Sequence, residues 1–419
     1  MSVDAAQLNK LKVLLCNKFF APVGGPEINI YEMAKMLEQN GHTAIPFAMQ
    51  RPDNWPSEYS KYFVSQVDYD ESDSVGLLGK LRSAADIIYS RKAAGKIRSL
   101  VRDTQPDVAH LHNIYHQLSP SICVALKREG IPMVMTLHDM KLICPNYTCL
   151  RNGIVCEECG GRRFHKAVKY RCVKGSRAKS AVCCLEMTIH RLLGLYANNI
   201  DLFIAPSEFI RNKFLEYGLL PADRMIHIST AVDTDAYTPT YTNQGYCVYV
   251  GRVSEHKGIL TLIKAMQANP TIKLRIVGDG DARAKAEQFR DELKLDNIQF
   301  DGFQAGDSLR AIIEGASFMI VPSEWYENCP KVVLESFAAG KPVIGSRIGG
   351  IPELIQDGVD GLLFEAGSVD ELSAKIAELS SDESRLKEMG KACRDKVDAE
   401  YTFRDHYQKL LATYRRVIG

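Results

Sequence analysis

Charge of one sign is scarce in this sequence: 52 Lys and Arg against 51 Asp and Glu over 419 residues leave a formal net charge of +1. A general nucleic-acid binder needs a cationic excess to displace the counterions on phosphates, so that class is excluded. No apolar run reaches the ~18 residues that a bilayer span requires. The N-terminal stretch Met-Ser-Val-Asp-Ala-Ala-Gln-Leu-Asn-Lys has no apolar core and no cleavage site of a secretion signal. These absences predict a cytoplasmic location, extending at most to the inner face of the plasma membrane, with the 12 cysteines reduced. There is no short-period repeat. No Gly-x-Gly-x-x-Gly follows the first strand-like run, which disfavours a dehydrogenase. What remains is an ordinary globular composition, 46% hydrophobic and 25% charged, long enough for two or three domains.

An alternation of strands and helices fills that length. Lys12-Val-Leu-Leu-Cys16 reads as a strand, and a loop with Gly24 and Gly25 follows. Pro26 then stands where a helix would begin, the position at which its missing N–H costs nothing. Ile30, Met33, Ala34 and Leu37 recur at helical spacing up to the cap signal Asn40-Gly41, and residues 42–49 read as the next strand. This is the opening unit of a doubly wound parallel sheet. Further strand-like runs at 107–112, 131–138 and 201–207 end in His112, His138 and Ser207. Carboxyl ends of strands are where open parallel sheets meet their ligands. A second alternation starts after Pro239, with strands at 246–250, 273–277, 298–300, 318–321 and 342–345. Helices are expected at about 257–267, 281–294, 306–314 and 330–339. Residues 230–239 form the natural linker, and the tail from about 368 is mostly helical.

Three glycine turns follow strands: Gly24-Gly25, Gly251 and Gly278-Asp-Gly280. A glycine lets backbone N–H groups approach a phosphate, though an ordinary strand-to-helix turn looks the same. Gly251 is the more informative, because Arg252 and Lys257 place two cations at the same strand end, as a diphosphate clamp would. The most specific stretch is Val321-Pro-Ser-Glu-Trp-Tyr-Glu-Asn-Cys-Pro-Lys-Val-Val-Leu-Glu335. Pro330 marks a helix start, so Glu327 lies in the loop before it and Glu335 in its second turn. Carboxylates in those places can accept from hydroxyls at two ends of one ligand, while the first-turn amides hold an anion between them. No residue in these stretches is a convincing covalent nucleophile.

The Glu-x7-Glu element, Val-Gly-Arg252…Lys257-Gly, Asp-Gly-Phe303, the run Ala-Ala-Gly-Lys-Pro-Val-Ile-Gly…Gly-Gly-Ile-Pro-Glu353 and the linker from Val232 are together similar to retaining family 4 glycosyltransferases of the GT-B fold. The resemblance spans nearly the whole chain. It implies an α/β protein of two Rossmann-like doubly wound domains facing across a cleft. Residues 1–235 would be the acceptor-binding domain and 236–400 the nucleotide-sugar-binding domain, with a final helix over 401–419 packing back on the first. It implies catalytic roles for His112, Arg252, Lys257 and Glu327. Donor-binding roles fall to Gly24, Gly25, Gly251, Gly278, Phe303, Pro330, Lys331, Val332, Val333 and Glu335, the last on the ribose. The implied reaction transfers a sugar from a nucleotide-diphosphate sugar to a glycan or lipid-linked acceptor, with retention, in cell-surface polysaccharide synthesis. No cofactor is implied, because Arg252, Lys257 and the helix N-terminus supply the positive charge that Mg²⁺ supplies elsewhere. Asp233-Thr-Asp235 and Asp279-Gly-Asp281 look like metal motifs but read as linker and strand-end loop. A nucleotide-sugar epimerase or sugar phosphorylase on the same fold is the alternative. One departure stands out: many relatives have Gly-Phe-Gly where this chain has Asn328-Cys329-Pro330, which leaves the donor sugar open.

Five cysteines crowd into residues 144–172, and Cys156-Glu-Glu-Cys159 is a knuckle. With Cys144 and Cys172 it has the donor set of a structural zinc site, with Cys149 and His165 as substitutes; a set of unpaired thiols is the other reading. From Gly160 to Ser180 there are eight basic residues and no acid. This segment, centred on 162–179, is either a solvated loop or a cationic face for anionic lipid or a lipid-diphosphate acceptor.

Overall fold

The computed structural model describes residues 10–65 and 85–419. The nine N-terminal residues inspected above for a secretion signal lie outside that set. The first sheet comprises β1 (Lys12–Cys16), β2 (Thr43–Phe47), β3 (Val108–Leu111), β4 (Met133–Thr136), β7 (Leu202–Ala205) and β8 (Met225–His227). Its order is β2-β1-β3-β4-β7-β8, and every pair is parallel. Leu14, Ala109 and Met135 face one buried layer while Val13, Val108 and Val134 face the other. Strands covered on both faces read as continuous apolar runs, which is why these were legible.

The second sheet has the same build. It comprises β9 (Tyr246–Val250), β10 (Lys273–Val277), β11 (Ile298–Gly302), β12 (Met319–Val321), β13 (Val343–Ser346) and β14 (Gly361–Phe364). The order is β11-β10-β9-β12-β13-β14, again all parallel. Each sheet changes winding direction beside its first strand, β1 or β9, which leaves a crevice at the carboxyl ends there. The strands β8 and β14, at the far edges of the two sheets, are additions to the sequence reading.

Between β4 and β7 lies an insertion. It holds a small hairpin, β5 (Leu150–Arg151) with β6 (Ile154–Val155), then helices His165–Tyr170 and Arg177–Leu192. The last helix, Phe403–Ile418, returns to the first domain as the resemblance implied. Leu410, Leu411 and Tyr414 are buried there against Leu11, Val13, Met33 and Leu37. Tyr414 also bonds His110 Nδ1 at 2.7 Å, and Tyr407 bonds His42 Nε2 at 2.7 Å. Where the chain crosses back, Val232 pairs with Thr402, and the Val232 N–H donates to the Tyr401 carbonyl at 3.0 Å. Among the described residues no helix is long and apolar enough to cross a membrane.

Candidate functional site

Glu327 lies in the loop after β12 and is almost fully buried. Three donors converge on its Oε1: Lys257 Nζ at 2.6 Å, Ser323 Oγ at 2.6 Å and Trp325 Nε1 at 2.8 Å. Burial alone would raise this carboxyl's pKa. The Lys257 charge and the three hydrogen bonds outweigh it and hold the group below its ordinary value, so it is ionised. None of the three bonds goes to Oε2. Lys257 also lies 5.2 Å from the Trp325 ring centre, in cation–π contact. Arg252 is exposed at the end of β9, its carbonyl accepting from Tyr249 Oη at 2.7 Å.

The ends of β9, β10 and β11 form one shelf. Gly251 N–H donates to the Val277 carbonyl and Gly278 N–H to that of Gly302. Gly278 has φ +136°, and a Cβ there would stand 1.9 Å from the Gly251 carbonyl oxygen, so no side chain fits. Phe303, at the shelf's edge, is 76% exposed. Behind loop 322–330 lies Gly350, where a Cβ would stand 1.8 Å from the Asn328 carbonyl oxygen. The Gly-Gly of that motif therefore backs the loop by close packing.

Pro330 caps helix Lys331–Ala338 without a side-chain bond, leaving the first turn, with Lys331 and Val332, uncovered by any capping side chain; Val333 is buried and its N–H donates to the Pro330 carbonyl. Lys331 Nζ donates to both oxygens of Glu32, at 2.5 and 2.6 Å, and lies 3.8 Å from Glu335 Oε1. Burial raises the Glu335 carboxyl, Lys331 partly offsets this, and Glu32 adds to it. Glu32 belongs to helix Gly25–Gln39, which begins beside Gly24 and Gly25. Glu32 was missed: nothing in an amphipathic pattern points to a partner 299 residues away. Glu27, buried beside Gly24 and accepting from Asn17 Nδ2 at 3.4 Å, was missed as well.

Across the cleft, three histidines stack. His110 and His112 rings are 4.3 Å apart, His112 and His138 rings 5.2 Å, and His112 Nδ1 meets His138 Nε2 at 2.9 Å. His112 is fully buried, and its Nε2 has no hydrogen-bond partner. Burial lowers all three pKa values, to about 3 for His110 and about 4 for His138, so the rings are neutral near pH 7.

The two domains are bonded to each other at several points. Asn328 Nδ2 donates to the carbonyls of Leu137 (2.9 Å) and His138 (3.2 Å), and its Oδ1 accepts from Ser207 Oγ at 2.9 Å. The residue that marked a departure from the common pattern thus ties the loop to the ends of β4 and β7. Glu353 caps helix Glu208–Glu216 from the other domain by accepting from the Glu208 and Phe209 N–H groups. Tyr326 Oη donates to Glu157 Oε1 at 2.6 Å; Glu157 also accepts from Tyr217 Oη (2.5 Å) and Lys213 (2.8 Å).

Glu157 belongs to the cysteine knuckle. The Cys144 thiol is within hydrogen-bonding reach of Cys149 and Cys159, while Cys156 and Cys172 lie farther out. Cys149, the expected substitute, thus lies beside Cys144, and Cys172 also senses the charges of Cys144 and Cys156. Among the described residues, the trio whose ligand atoms all fall within 4.8 Å of one another is His116, Cys183 and Glu186. There Lys141 already neutralises Glu186 at 3.0 Å. The soft thiolate donors of the knuckle suit zinc, though they are not drawn into a closed tetrahedron.

The sequence profile of Glycosyltransferase Family 4 matches residues 23–236, and that of Glycosyl transferases group 1 matches residues 235–396. N-acetyl-alpha-D-glucosaminyl L-malate synthase of Bacillus anthracis is 32% identical over 97% of this chain and 96% of its own. Sucrose-phosphate synthase from Thermosynechococcus elongatus superposes with a TM-score of 0.73 at 20% identity, covering 97% of this chain and 98% of that one. Anabaena HepE, in complex with UDP-glucose, superposes with a TM-score of 0.67 at 18% identity, covering 97% and 100%. These two structures share the GT-B fold of paired Rossmann-like domains. Matched through both domains by these profiles, and over nearly its whole length by a relative at 32% identity, the chain belongs to the group 1 glycosyltransferases of family 4.

Proposed function

We propose that the protein moves a sugar from a nucleotide-diphosphate sugar to a glycan or lipid-linked acceptor, retaining the anomeric configuration and using no divalent metal. The setting would be cell-surface polysaccharide synthesis at the cytoplasmic side of the membrane. The observation that carries this reading is the bond from half-buried Lys257 to buried Glu327, with exposed Arg252 on the same strand end and His112 and His138 in the other domain. In this reading the diphosphate lies against Arg252, Lys257, the glycines 251 and 278 and the first turn at Pro330, Lys331, Val332 and Val333. Gly24 and Gly25 close on it from the other domain. Glu327 accepts from hydroxyls of the transferred sugar and Glu335 from the ribose, with Phe303 beside the base. The bond from the anomeric carbon to the diphosphate oxygen breaks, and the bond to the acceptor oxygen forms on the same face. The acceptor proton passes to the departing phosphate. Fixed positive charge stabilises that leaving group without reorganising. His112, kept neutral by burial, offers Nε2 as a hydrogen-bond partner near the reacting sugar. The donor class is supported by HepE having been crystallised with UDP-glucose. One structural zinc ion would staple the cysteine insertion, outside the reaction.

A thermal-shift panel of nucleotide diphosphates and nucleotide sugars in EDTA tests this. A ligand at ~100 times its dissociation constant adds about 2.7 kcal/mol to the folded state. One base family should stabilise the wild type, and Glu335→Ala should weaken that binding by roughly 10-fold, the worth of a hydrogen bond to a charged group. A wild type that shifts only when Mg²⁺ is added would remove the metal-independent mechanism.

A further inference from the structure

Helix Arg177–Leu192 in the insertion turns an apolar face outward. Its inward face buries Cys183 and Met187 together with three polar residues, Ser180, Glu186 and His190. Each has a polar partner: Ser180 Oγ donates to the Ser176 carbonyl at 2.7 Å, Glu186 accepts from Lys141 at 3.0 Å, and His190 Nε2 meets the Ile88 carbonyl at 2.7 Å. The outward face follows the 3.6 period through Ala178, Ala181, Val182, Leu185, Ile189 and Leu192 and contains no charge. Thr188 is its one polar member, and its hydroxyl is spent on the Cys184 carbonyl at 2.7 Å. Leu185 is 54% exposed, Leu192 81% and Leu193 62%. A surface helix of a soluble domain normally turns charged and polar residues outward.

The apolar exposure is also concentrated. Nine large apolar residues are exposed among the described residues, and five of them lie in this insertion, Tyr147 and Ile154 joining the three leucines. Scattered single exposures need no explanation, but a cluster does. The charge beside it has one sign. Helix His165–Tyr170 packs against helix Arg177–Leu192, and Arg162, Arg163, Lys169, Arg171 and Arg177 are exposed along the segment leading into it. An apolar helix face flanked by exposed cations complements an anionic bilayer, whose headgroups attract the cations and whose acyl boundary takes the leucines.

We propose that the outward face of helix Arg177–Leu192, with the basic segment 162–179, docks the protein on an anionic membrane surface. This deepens the function proposed above by placing a membrane beside the acceptor domain, but its test does not depend on catalysis. The full chain is floated with vesicles of phosphatidylcholine alone or with about one-third phosphatidylglycerol. The protein is expected to bind the anionic vesicles selectively. Neutralising Lys169, Arg171 and Arg177 to Gln should weaken that binding on the order of 100-fold. Leu185→Ser with Leu192→Ser should weaken it at least ~10-fold, because the lost term is apolar burial. These side chains are exposed, so the unfolding temperature should hold, and the wild-type comparison of the two vesicle types needs no variant at all. Equal binding to both vesicle types, or to neither, overturns the proposal. So does a vesicle-independent dimer that Leu185→Ser and Leu192→Ser dissociate, since that would assign the face to a second copy of the chain.

Discussion

Glu327 shows how one side chain can be made unambiguous by its neighbours. Lys257, Ser323 and Trp325 all donate to a single oxygen, so the carboxylate is ionised and its other oxygen takes none of the three bonds. Removing Lys257 leaves that charge buried with two neutral donors. Lys257→Ala should therefore lower kcat by roughly 100-fold or more, the usual cost of deleting one preorganised charge donor, and raise the Glu327 pKa. Steady-state rates against pH would show both effects; a variant with wild-type kcat would mean Lys257 only shapes the loop. Lys257 and Glu327 could be found in the sequence because each belongs to a contiguous motif with recognisable spacing. Glu32 and Glu27 could not, since each draws its meaning from a partner that only the closed fold brings near. Asn328 was visible as an oddity, but its three bonds to the other domain were not.

At the scale of elements, most strands of both sheets were legible because burial on both faces made a continuous apolar run. β8 and the hairpin β5–β6 escaped because they are two or three residues long and only partly buried, and β14, though buried, is a short apolar run just ahead of the helical tail. The insertion was visible only as composition, cysteines followed by cations. In the fold it becomes a brace: Glu157, between Cys156 and Cys159, receives Tyr326, the residue next to Glu327. Glu157→Gln keeps the shape and drops the charge that holds Lys213. It should raise the donor KM or lower kcat by roughly 10-fold with little change in unfolding temperature. Tyr326→Phe should do the same, and the double variant should add little beyond either. Fully additive losses would break the link. The thiols make a separate prediction. Elemental analysis of the purified full chain should find about one zinc per chain, which Cys144→Ser or Cys159→Ser abolishes. Metal-free protein whose five thiols all react freely with a disulfide reagent would leave the knuckle as packed cysteines.

At the scale of the whole molecule, neutral histidines set a pH dependence. His110 and His112 are buried and His138 and His406 half-buried, and desolvation lowers the pKa of each, to about 3 for His110 and about 4 for His138 and His406. The unfolded chain takes up these protons near pH 6.5, and the folded one does so only well below that. Stability is therefore fully present above about pH 6.5 and is lost as pH falls toward 4, each ring contributing up to ~1.4 kcal/mol per pH unit in that window. Urea midpoints measured from pH 7 to pH 5 should drop steeply, and a flat line would mean that the imidazoles are hydrated in the folded protein.

The chain passes between the domains twice, and the two passages run side by side, Val232 hydrogen-bonded to Tyr401 and paired with Thr402. A single connecting segment would behave as a swivel, free to twist as well as to bend. Two joined segments behave as a strap, resisting twist and yielding mainly to flexion across their width. Each opening would then return the domains to the same alignment, and Lys331 would meet Glu32 again in the same register. In the proposed reaction a spent nucleotide would leave through a gape at the far lip, and the two domains would close again on the same alignment.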